Sequence, residues 1–250
     1  MSKNIVPLII GNWKMNGLIA QLSEIDNLDN ELSQIHHIKC HVVICPPATL
    51  LVSATQNSEN SKVAFGGQDC HFEEKGAHTG DISAEMLANS GAQYVIVGHS
   101  ERRADHDETD EIVQNKAKAA FRAGLTPIIC VGESEKERKK GRALEVVLSQ
   151  LEKSIPDDIK KGIIVAYEPV WAIGTGLVPS IDDIDEMHLA IRKLLIKRFA
   201  DLGEKTPILY GGSMKASNAE EILKIKDVNG GLVGGASLKA ADFIGIIKAV

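Results

Sequence analysis

The stretch "TPIICVGESEKE", residues 126–137, passes directly from an apolar run to the start of a helix. The apolar run is short and continuous, which is typical of a strand buried on both faces. Ser134, with Glu137 three positions later, has the spacing of a helix capping box. A buried strand that leads at once into a helix is half of a parallel β-α-β unit. The fold then depends on how often the chain repeats this unit.

Similar apolar runs recur along the chain, and each is followed by a longer segment with helical periodicity. Further capping signals stand at residues 180–183 and 217–220. The helix after residue 180 is predicted to bury one apolar stripe, formed by Ile184, Met187, Ile191 and Leu194. The candidate strands cover residues 7–14, 41–46, 63–69, 93–100, 126–133, 162–169, 206–212 and 230–237.

Eight continuous apolar strands alternating with helices favour an α/β fold with a parallel sheet. In a chain of 250 residues without a linker-like tract, they predict a closed (β/α)8 barrel, with eight parallel strands ringed by helices, as a single domain over residues 1–250. A doubly wound open sheet is the alternative. It often has a glycine-rich nucleotide loop after the first strand, whereas this strand runs into Gly11-Asn12-Trp13-Lys14.

Composition excludes several classes of partner. The formal net charge is −6, and no basic cluster is interleaved with aromatic residues, so nucleic acid is not expected to bind. No apolar segment is long enough to cross a membrane or to serve as a signal peptide, so no membrane association is expected. The four cysteines lack metal-type spacing and disulfide density, which indicates free thiols in a cytoplasmic protein.

Polar side chains and glycines collect where the predicted strands end. In a parallel barrel these ends converge on one face, which carries the chemistry. Asn12, Lys14, His99 and Glu168 would then bring an amide, an ammonium, an imidazole and a carboxylate together. Such a set can move protons next to a carbonyl and stabilise an oxyanion, which is isomerase chemistry. Glycine pairs after the last two strands predict a phosphate site, and hence a small phosphorylated carbonyl substrate.

Other chemistries fit the residues less well. A lone histidine, lysine or glutamate at a strand end is more often structural, and only their coincidence favours a site. Glycoside hydrolysis needs an opposing carboxylate, for which Glu101 and Glu133 are formal candidates, and a serine hydrolase would need an absent GxSxG elbow. The histidines lack metal-ligand spacing, so no metal or cofactor is predicted, and His188 is expected to be structural or exposed.

The sequence as a whole resembles the triosephosphate isomerase family. The resemblance runs in order from about Ile5 to Ala249. It is carried by the motifs "GNWKMNG" (11–17), "GHSERR" (98–103), "AYEPVWAIGTG" (166–176), "YGGSM" (210–214) and "GGLVGGASL" (230–238). It implies interconversion of dihydroxyacetone phosphate and glyceraldehyde 3-phosphate in glycolysis and gluconeogenesis, without cofactor or metal, by a homodimer.

The resemblance also implies a role for each matched residue. Glu168 would be the base that transfers the proton between substrate carbons, and His99 would polarise the carbonyl. Lys14 would stabilise the enediolate, and Asn12 would hydrogen-bond the reacting oxygens. Backbone amides would hold the phosphate at Gly174, Ser213, Gly234 and Gly235. Ile173 and Leu232 match the apolar pair that closes over the base. Residues 169–176 are expected to form a lid, with Ile173 at its tip.

Further residues match supporting positions of the family. Glu101 is implied as a partner of Lys14, and Cys130 as a neighbour of the site. Arg192 and Asp227 match a structural ion pair. The segment 68–83 resembles a dimer loop that carries Thr79 into the site of the neighbouring subunit. The chain departs from the commonest family pattern at Asp69, Ala84 and Asp107.

Two other functions remain open from the sequence. An isomerase of the same fold acting on a tetrulose phosphate would keep the base, the imidazole and the phosphate site, and would differ only in pocket volume. A non-catalytic protein that binds a phosphorylated metabolite is less favoured, because it would not need the base, the histidine and the lysine.

Overall fold

Eight short apolar runs form the strands of a closed parallel barrel in the computed structural model, which describes residues 5–56, 61–159, 162–173 and 177–250. Each strand pairs with the next one along the chain, and β8 pairs with β1, with Leu8 opposite Gly230. The strands are β1 Leu8–Asn12, β2 His41–Cys45, β3 Val63–Gly67, β4 Tyr94–Val97, β5 Thr126–Val131, β6 Ile164–Tyr167, β7 Ile208–Tyr210 and β8 Gly230–Val233. The predicted α/β barrel is therefore confirmed.

The observed strands are shorter than the predicted ones, mostly at their carboxyl ends. In β4, β6 and β7 the polar or glycine residues that follow leave the ladder and surround the mouth of the barrel. The apolar parts stay in the ladder because both of their faces are buried. Side chains such as Ile10, Ile96 and Ile128 fill the barrel interior, while Ile9, Val97 and Ile129 pack against the helices outside.

Helices surround the barrel between successive strands. They are α1 Leu22–Ser33, α2 Ala48–Gln56, α3 Ala84–Asn89, α4 Ser100–Asp105, α5 Asp110–Ala123, α6 Glu135–Lys139, α7 Ala143–Ser154, α8 Ile181–Phe199, α9 Asp201–Lys205, α10 Ala216–Leu223 and α11 Ala240–Ile247. Across the described ranges, none of these helices is long and apolar enough to cross a membrane.

The predicted caps are present at two of three positions. Ser134 and Ser180 each form a capping box with the acidic residue three positions later. The cap predicted from residues 217–220 is wrong, because α10 already begins at Ala216. There the Asn218 side chain accepts a hydrogen bond from the backbone N–H of Lys215 at 2.7 Å, which caps the helix two residues earlier than predicted.

The buried stripe of α8 differs from the prediction at its end. Ile184 and Ile191 are buried as expected, but Leu194 is only half-buried and Leu195 takes the inner position. At about 100° per residue, Leu195 lies about 20° from the direction of Ile184, whereas Leu194 lies about 80° away. His188 faces the same buried layer, and burial lowers the pKa of its imidazole to about 4.

Ala200, between α8 and α9, has a backbone conformation that favours glycine. Its φ is 49° and its ψ is −124°, where an L side chain is strained. We expect Ala200→Gly to raise the free energy of unfolding by about 1 kcal/mol, measured by urea denaturation. Ala190→Gly, in the middle of α8, is the control and should lower it by a similar amount. Destabilisation by Ala200→Gly would contradict the expectation.

Candidate active site

A cavity of about 290 Å³ opens at the carboxyl ends of the strands. It is lined by residues that follow β1, β4, β6, β7 and β8, together with Asn12 at the end of β1 and Leu232 within β8. The sequence-predicted residues that share it are Asn12, Lys14, His99, Glu168, Ile173, Ser213, Leu232, Gly234 and Gly235. Gly174 lies outside the described residues.

Glu168 is held at the centre of the mouth by the backbone of the neighbouring strands. Its N–H donates to the carbonyl of Val131 at 2.8 Å, and Gly211 donates to the carbonyl of Tyr167 at 2.7 Å, so both strand pairings continue to the edge of the site. A Cβ on Gly211 would lie 2.9 Å from the Cγ of Glu168, and therefore glycine leaves the room that this side chain needs. The side chain of Glu168 is buried.

The Glu168 carboxylate makes two hydrogen bonds. Oε1 lies 2.8 Å from Nε2 of His99, and Oε2 accepts the backbone N–H of Ser100 at 2.9 Å. Burial by itself raises the pKa of this carboxyl, but His99 and the Ser100 N–H more than offset it and hold the pKa below its usual range. In this arrangement Glu168 is an ionised but weak base.

His99 is the N-cap of α4, and its ring orientation is set by the backbone. Nδ1 accepts the N–H of Glu101 at 3.2 Å, so the proton of a neutral ring is on Nε2 and points at Glu168. Burial lowers the pKa of His99, and the carboxylate of Glu168 more than offsets it, so that the pKa is raised. A second ring proton on Nδ1 would break the bond to Glu101, and the hydrogen-bond pattern therefore fits the neutral ring.

Lys14 follows β1 in a left-handed conformation, with φ of 55°. The Asn12 side chain accepts its N–H at 3.0 Å, and the Gln68 amide donates to its carbonyl at 2.8 Å. These two contacts hold the turn, and the ammonium group contacts the carboxylate of Glu101. The Lys14 side chain is three-quarters buried, so its charge acts in a medium less polarisable than water.

The far end of the cavity offers backbone groups and little side-chain bulk. A Cβ on Gly235 would meet nothing within 4 Å, and one on Gly234 would lie 3.4 Å from Cε of Lys14. The Ser213 hydroxyl donates to the carbonyl of Ala172 at 2.7 Å, which joins the turn after β7 to the segment after β6. Ile173 and Leu232 supply an apolar wall.

Residues expected to support the site lie beside it. Cys130 is fully buried in the barrel interior, where burial and then the Glu168 carboxylate raise the pKa of its thiol. Glu101 is half-exposed and 3.6 Å from Nδ1 of His99. Thr79 is exposed on the 68–83 loop and does not line the cavity of its own chain.

Glu133, a formal second carboxylate, faces away from the cavity. Its Oε1 accepts hydrogen bonds from the Tyr167 hydroxyl at 3.2 Å, the Trp171 indole at 2.9 Å and the Arg138 guanidinium at 3.1 Å. These contacts anchor the segment that follows Glu168, a role that sequence reasoning missed. The alternation of β5 contained the signal, since Val131 faces the helices and Glu133 is two positions further on.

A group of possible metal ligands lies outside the cavity, in the 68–83 loop. One ligand atom each of His71, His78 and Asp81 lies within 4.8 Å of the others. However, Nδ1 of His71 accepts the N–H of Glu73 at 3.0 Å, so a neutral His71 ring carries its proton on the nitrogen that faces Asp81. That nitrogen has no free electron pair for a metal ion.

Comparison with known proteins agrees with this geometry. The family model described as triosephosphate isomerase matches residues 7–250. The chain is 58% identical to a triosephosphate isomerase of Afipia carboxidovorans, over 100% of the chain and 99% of that protein, and 53% identical to one of Bradyrhizobium diazoefficiens, over 99% of each. The crystal structure of triosephosphate isomerase from Bartonella henselae superposes with a TM-score of 0.91 at 47% identity, covering 98% of this chain and 99% of that one. The chain therefore belongs to the triosephosphate isomerase family.

Proposed function

We propose that Glu168 is the base in the isomerisation of triose phosphates that this family catalyses. The carboxylate lies 2.8 Å from the imidazole of His99, in a cavity that also holds Lys14 and a glycine-rich end with little side-chain bulk. A carboxylate and a neutral imidazole in contact can move protons between adjacent carbons and oxygens, and the lysine offsets the negative charge that develops. The comparisons favour a triose phosphate over the tetrulose phosphate alternative.

The reaction proceeds through an enediolate. Glu168 removes a proton from C1 of dihydroxyacetone phosphate, and the electron pair of that C–H bond forms the C1=C2 bond while the carbonyl oxygen becomes negative. His99 donates its Nε2 proton to this oxygen and recovers a proton from the C1 hydroxyl. Glu168 then returns its proton to C2, which gives glyceraldehyde 3-phosphate. Lys14 and Asn12 stabilise the reacting oxygens throughout.

The base must leave its present contacts before it can act. The hydrogen bonds from Ser100 and His99 lower the proton affinity of the Glu168 carboxylate. Removing a proton from a substrate carbon requires a higher proton affinity. Movement of Glu168 toward the substrate breaks the bond to Ser100, and closure of Ile173 and Leu232 over it excludes water. Both changes raise the basicity of the carboxylate.

The phosphate group binds at the open end of the cavity, on the backbone N–H groups of Ser213, Gly234, Gly235 and Gly174. Binding there orders the lid over residues 169–176. Chymotrypsin cleavage after Trp171 should slow when inorganic phosphate is added at saturating concentration. An identical cleavage rate with and without phosphate would contradict this lid.

A coupled assay tests the substrate. Glyceraldehyde 3-phosphate should be converted with a kcat/KM orders of magnitude above that of unphosphorylated glyceraldehyde or of a four-carbon ketose phosphate. Faster turnover of the four-carbon substrate would overturn the triose assignment. Equal turnover of the unphosphorylated compound would remove the phosphate site from the proposal.

The functional unit is a homodimer joined through residues 68–83, with Thr79 entering the partner's site. A second cavity of about 590 Å³ adjoins the first and gives this loop a place to dock, because it reaches Asn12, Lys14 and His99. Met15 lines this cavity, and it is 98% exposed in the single chain, with Leu18 and Ile19 nearby in the sequence at 75% and 76%. A group of exposed apolar side chains is typical of an interface. Sedimentation equilibrium should give twice the chain mass, and a fully active monomer would contradict the role of the loop.

Asp69, at the base of this loop, shares two cations with another carboxylate. Lys116 lies 2.7 Å from Asp69 and 2.5 Å from Glu108, and Arg102 contacts both acids. Burial raises the pKa of Asp69, and Lys116 offsets this only in part. Because the folded pKa lies above the unfolded one, the ionised carboxylate costs stability at neutral pH, and the cost disappears as the pH falls through the folded pKa.

We therefore expect Asp69→Asn to stabilise the protein at pH 7, since Glu108 still neutralises Lys116. The gain should shrink as the pH falls toward the ordinary aspartate pKa of about 3.9. Urea unfolding at fixed protein concentration across this pH range measures it, with the exposed Asp185→Asn as control. A loss of stability at pH 7 would contradict the expectation.

The enzyme works in the cytoplasm, as one barrel domain over residues 1–250. All four cysteines are buried free thiols, which fits a reducing compartment. Cell fractionation tests this location.

A further inference from the structure

The guanidinium of Arg103 lies beneath α4 and donates hydrogen bonds in four directions. Nε donates to the carbonyl of Gly98 at 2.8 Å, and Nη1 donates to Asp110 at 2.8 Å. Nη2 donates to the carbonyl of Cys130 at 3.2 Å and to the hydroxyl of Ser154 at 3.1 Å. The Arg103 side chain is 15% exposed, so these bonds compete little with water.

The Gly98 carbonyl belongs to the peptide group that joins Gly98 to His99. Strand alternation alone would turn His99 away from the cavity, because Val95 and Val97 face the helices while Tyr94 and Ile96 face the barrel interior. Gly98 interrupts this alternation with a φ of 67°, and His99 then points into the mouth. The orientation of this one peptide therefore decides where the imidazole lies.

Gly98 does not hold that conformation by itself, since glycine is free to adopt many others. A Cβ at this position would lie 2.6 Å from Val113 and 3.1 Å from Nη2 of Arg103, so the turn is closely packed on its outer side. The bond from Arg103 is the one that constrains its carbonyl. Ser154 in turn donates to Asp110 at 3.1 Å, which fixes the guanidinium from the ends of α5 and α7.

The same guanidinium also reaches the neighbouring strand. The Cys130 carbonyl lies near the end of β5 and accepts from Nη2 of Arg103. The Cys130 side chain faces the barrel interior beside Glu168. Arg103 thus joins the carboxyl ends of β4 and β5, on which the histidine and the surroundings of the base depend.

We propose that Arg103 is a positioning residue for His99. By fixing the Gly98–His99 peptide, it directs Nε2 of His99 into the cavity, where this nitrogen now contacts Glu168 and would donate to the substrate oxygen in the proposed reaction. The inference rests on the proposed role of His99 in catalysis, but the geometry it concerns can be measured without turnover. Lysine cannot replace arginine here, because an ammonium group cannot reach two carbonyls, a hydroxyl and a carboxylate in one plane.

Arg103→Lys tests this role, with Arg198→Lys as the matched control. Arg198 also donates to two main-chain carbonyls and an aspartate, but at the end of α7, away from the cavity. We expect Arg103→Lys to lower kcat by about 10- to 100-fold, as a displacement of a catalytic group by a fraction of an ångström to 1 Å would. KM should change by less than about threefold, since the substitution does not alter the backbone N–H groups proposed to bind the substrate phosphate. Arg198→Lys should leave both constants unchanged.

The second readout is the Nε2–H resonance of His99 in ¹⁵N-histidine-labelled protein, assigned by its loss in His99→Asn. Arg103→Lys should shift or broaden this signal and speed its exchange with water, while Arg198→Lys should not. An unchanged signal with normal kcat would overturn the proposal, and so would equal losses of kcat in both variants. A changed signal with normal kcat would support the positioning role and contradict the catalytic role of His99.

Ser154→Ala serves if Arg103→Lys does not fold. It removes one bond that orients the guanidinium and leaves Arg103 in place. The His99 resonance should shift in the same direction, with a kcat lower by about two- to fivefold, because one supporting hydrogen bond is a modest net interaction. No change in either quantity would overturn the proposal.

Discussion

Replacing Glu168 with aspartate should lower kcat by about 10³-fold, within the range that a positioned general base contributes. The shorter side chain keeps the charge but withdraws the carboxylate by about 1 Å, and proton abstraction depends steeply on that distance. KM should change by less than about tenfold, because Lys14 and the glycine-rich end of the cavity still bind the substrate.

The measurement is a coupled assay in both directions, with circular dichroism to verify folding. Glu135→Asp is the matched control, since Glu135 is an exposed residue of α6 that pairs with Lys139. Its kcat should equal that of the unaltered protein. A Glu168→Asp enzyme with normal kcat would end the proposed mechanism, and a protein that binds phosphorylated metabolites without turning them over would show no kcat to lose.

The strands were predictable because a parallel barrel buries both of their faces. Their apolar runs are continuous, and this signal does not depend on distant parts of the chain. Helix boundaries were less predictable, as α10 shows, because Asn218 at its third position accepts the N–H of the N-cap residue Lys215, a role for which the sequence signal expects glutamate or glutamine. The difference between Leu194 and Leu195 in α8 followed from helical periodicity and could have been predicted by applying it strictly.

The composition of the site was predictable, but its contacts were not. Residues at strand ends must converge once the barrel closes, and so Asn12, His99 and Glu168 meet. The hydrogen bond from Ser100 to Glu168 depends on how α4 starts, which is a matter of backbone angles. The direction of His99 depends on the left-handed turn at Gly98, where strand alternation predicts the opposite.

A buried ion pair holds the opposite end of the barrel. Nε of Arg192, on α8, donates to Asp227 at 3.1 Å. Its other nitrogens donate to the carbonyls of Gly203 and Thr206 at 2.6 and 2.7 Å and to the Asn229 side chain at 2.9 Å. These acceptors precede β7 and β8, so the arginine fixes where both strands begin and lies at the far end from Glu168.

Arg192→Met should therefore lower the free energy of unfolding by about 3–5 kcal/mol, the cost of leaving a buried charge without its partner. The midpoint of thermal unfolding should fall by about 10 °C. Arg142→Met, which removes an exposed arginine paired with Glu145, is the control and should leave the free energy of unfolding unchanged. At 25 °C the kcat of folded Arg192→Met should stay within about twofold, because none of the residues that the pair hydrogen-bonds in the described structure lines the cavity.

The double variant Arg192→Met/Asp227→Leu distinguishes the cost of an unpaired buried carboxylate from the cost of the lost hydrogen bonds. If the cost comes from an unpaired buried carboxylate, removing that carboxylate should restore part of the lost stability, although the carbonyls of Gly203 and Thr206 remain without their donor. If it comes from the lost hydrogen bonds to those carbonyls, the double variant should be no more stable than the single one. A loss below about 1 kcal/mol in Arg192→Met would show that water replaces the guanidinium, and that the pair does not hold the strands.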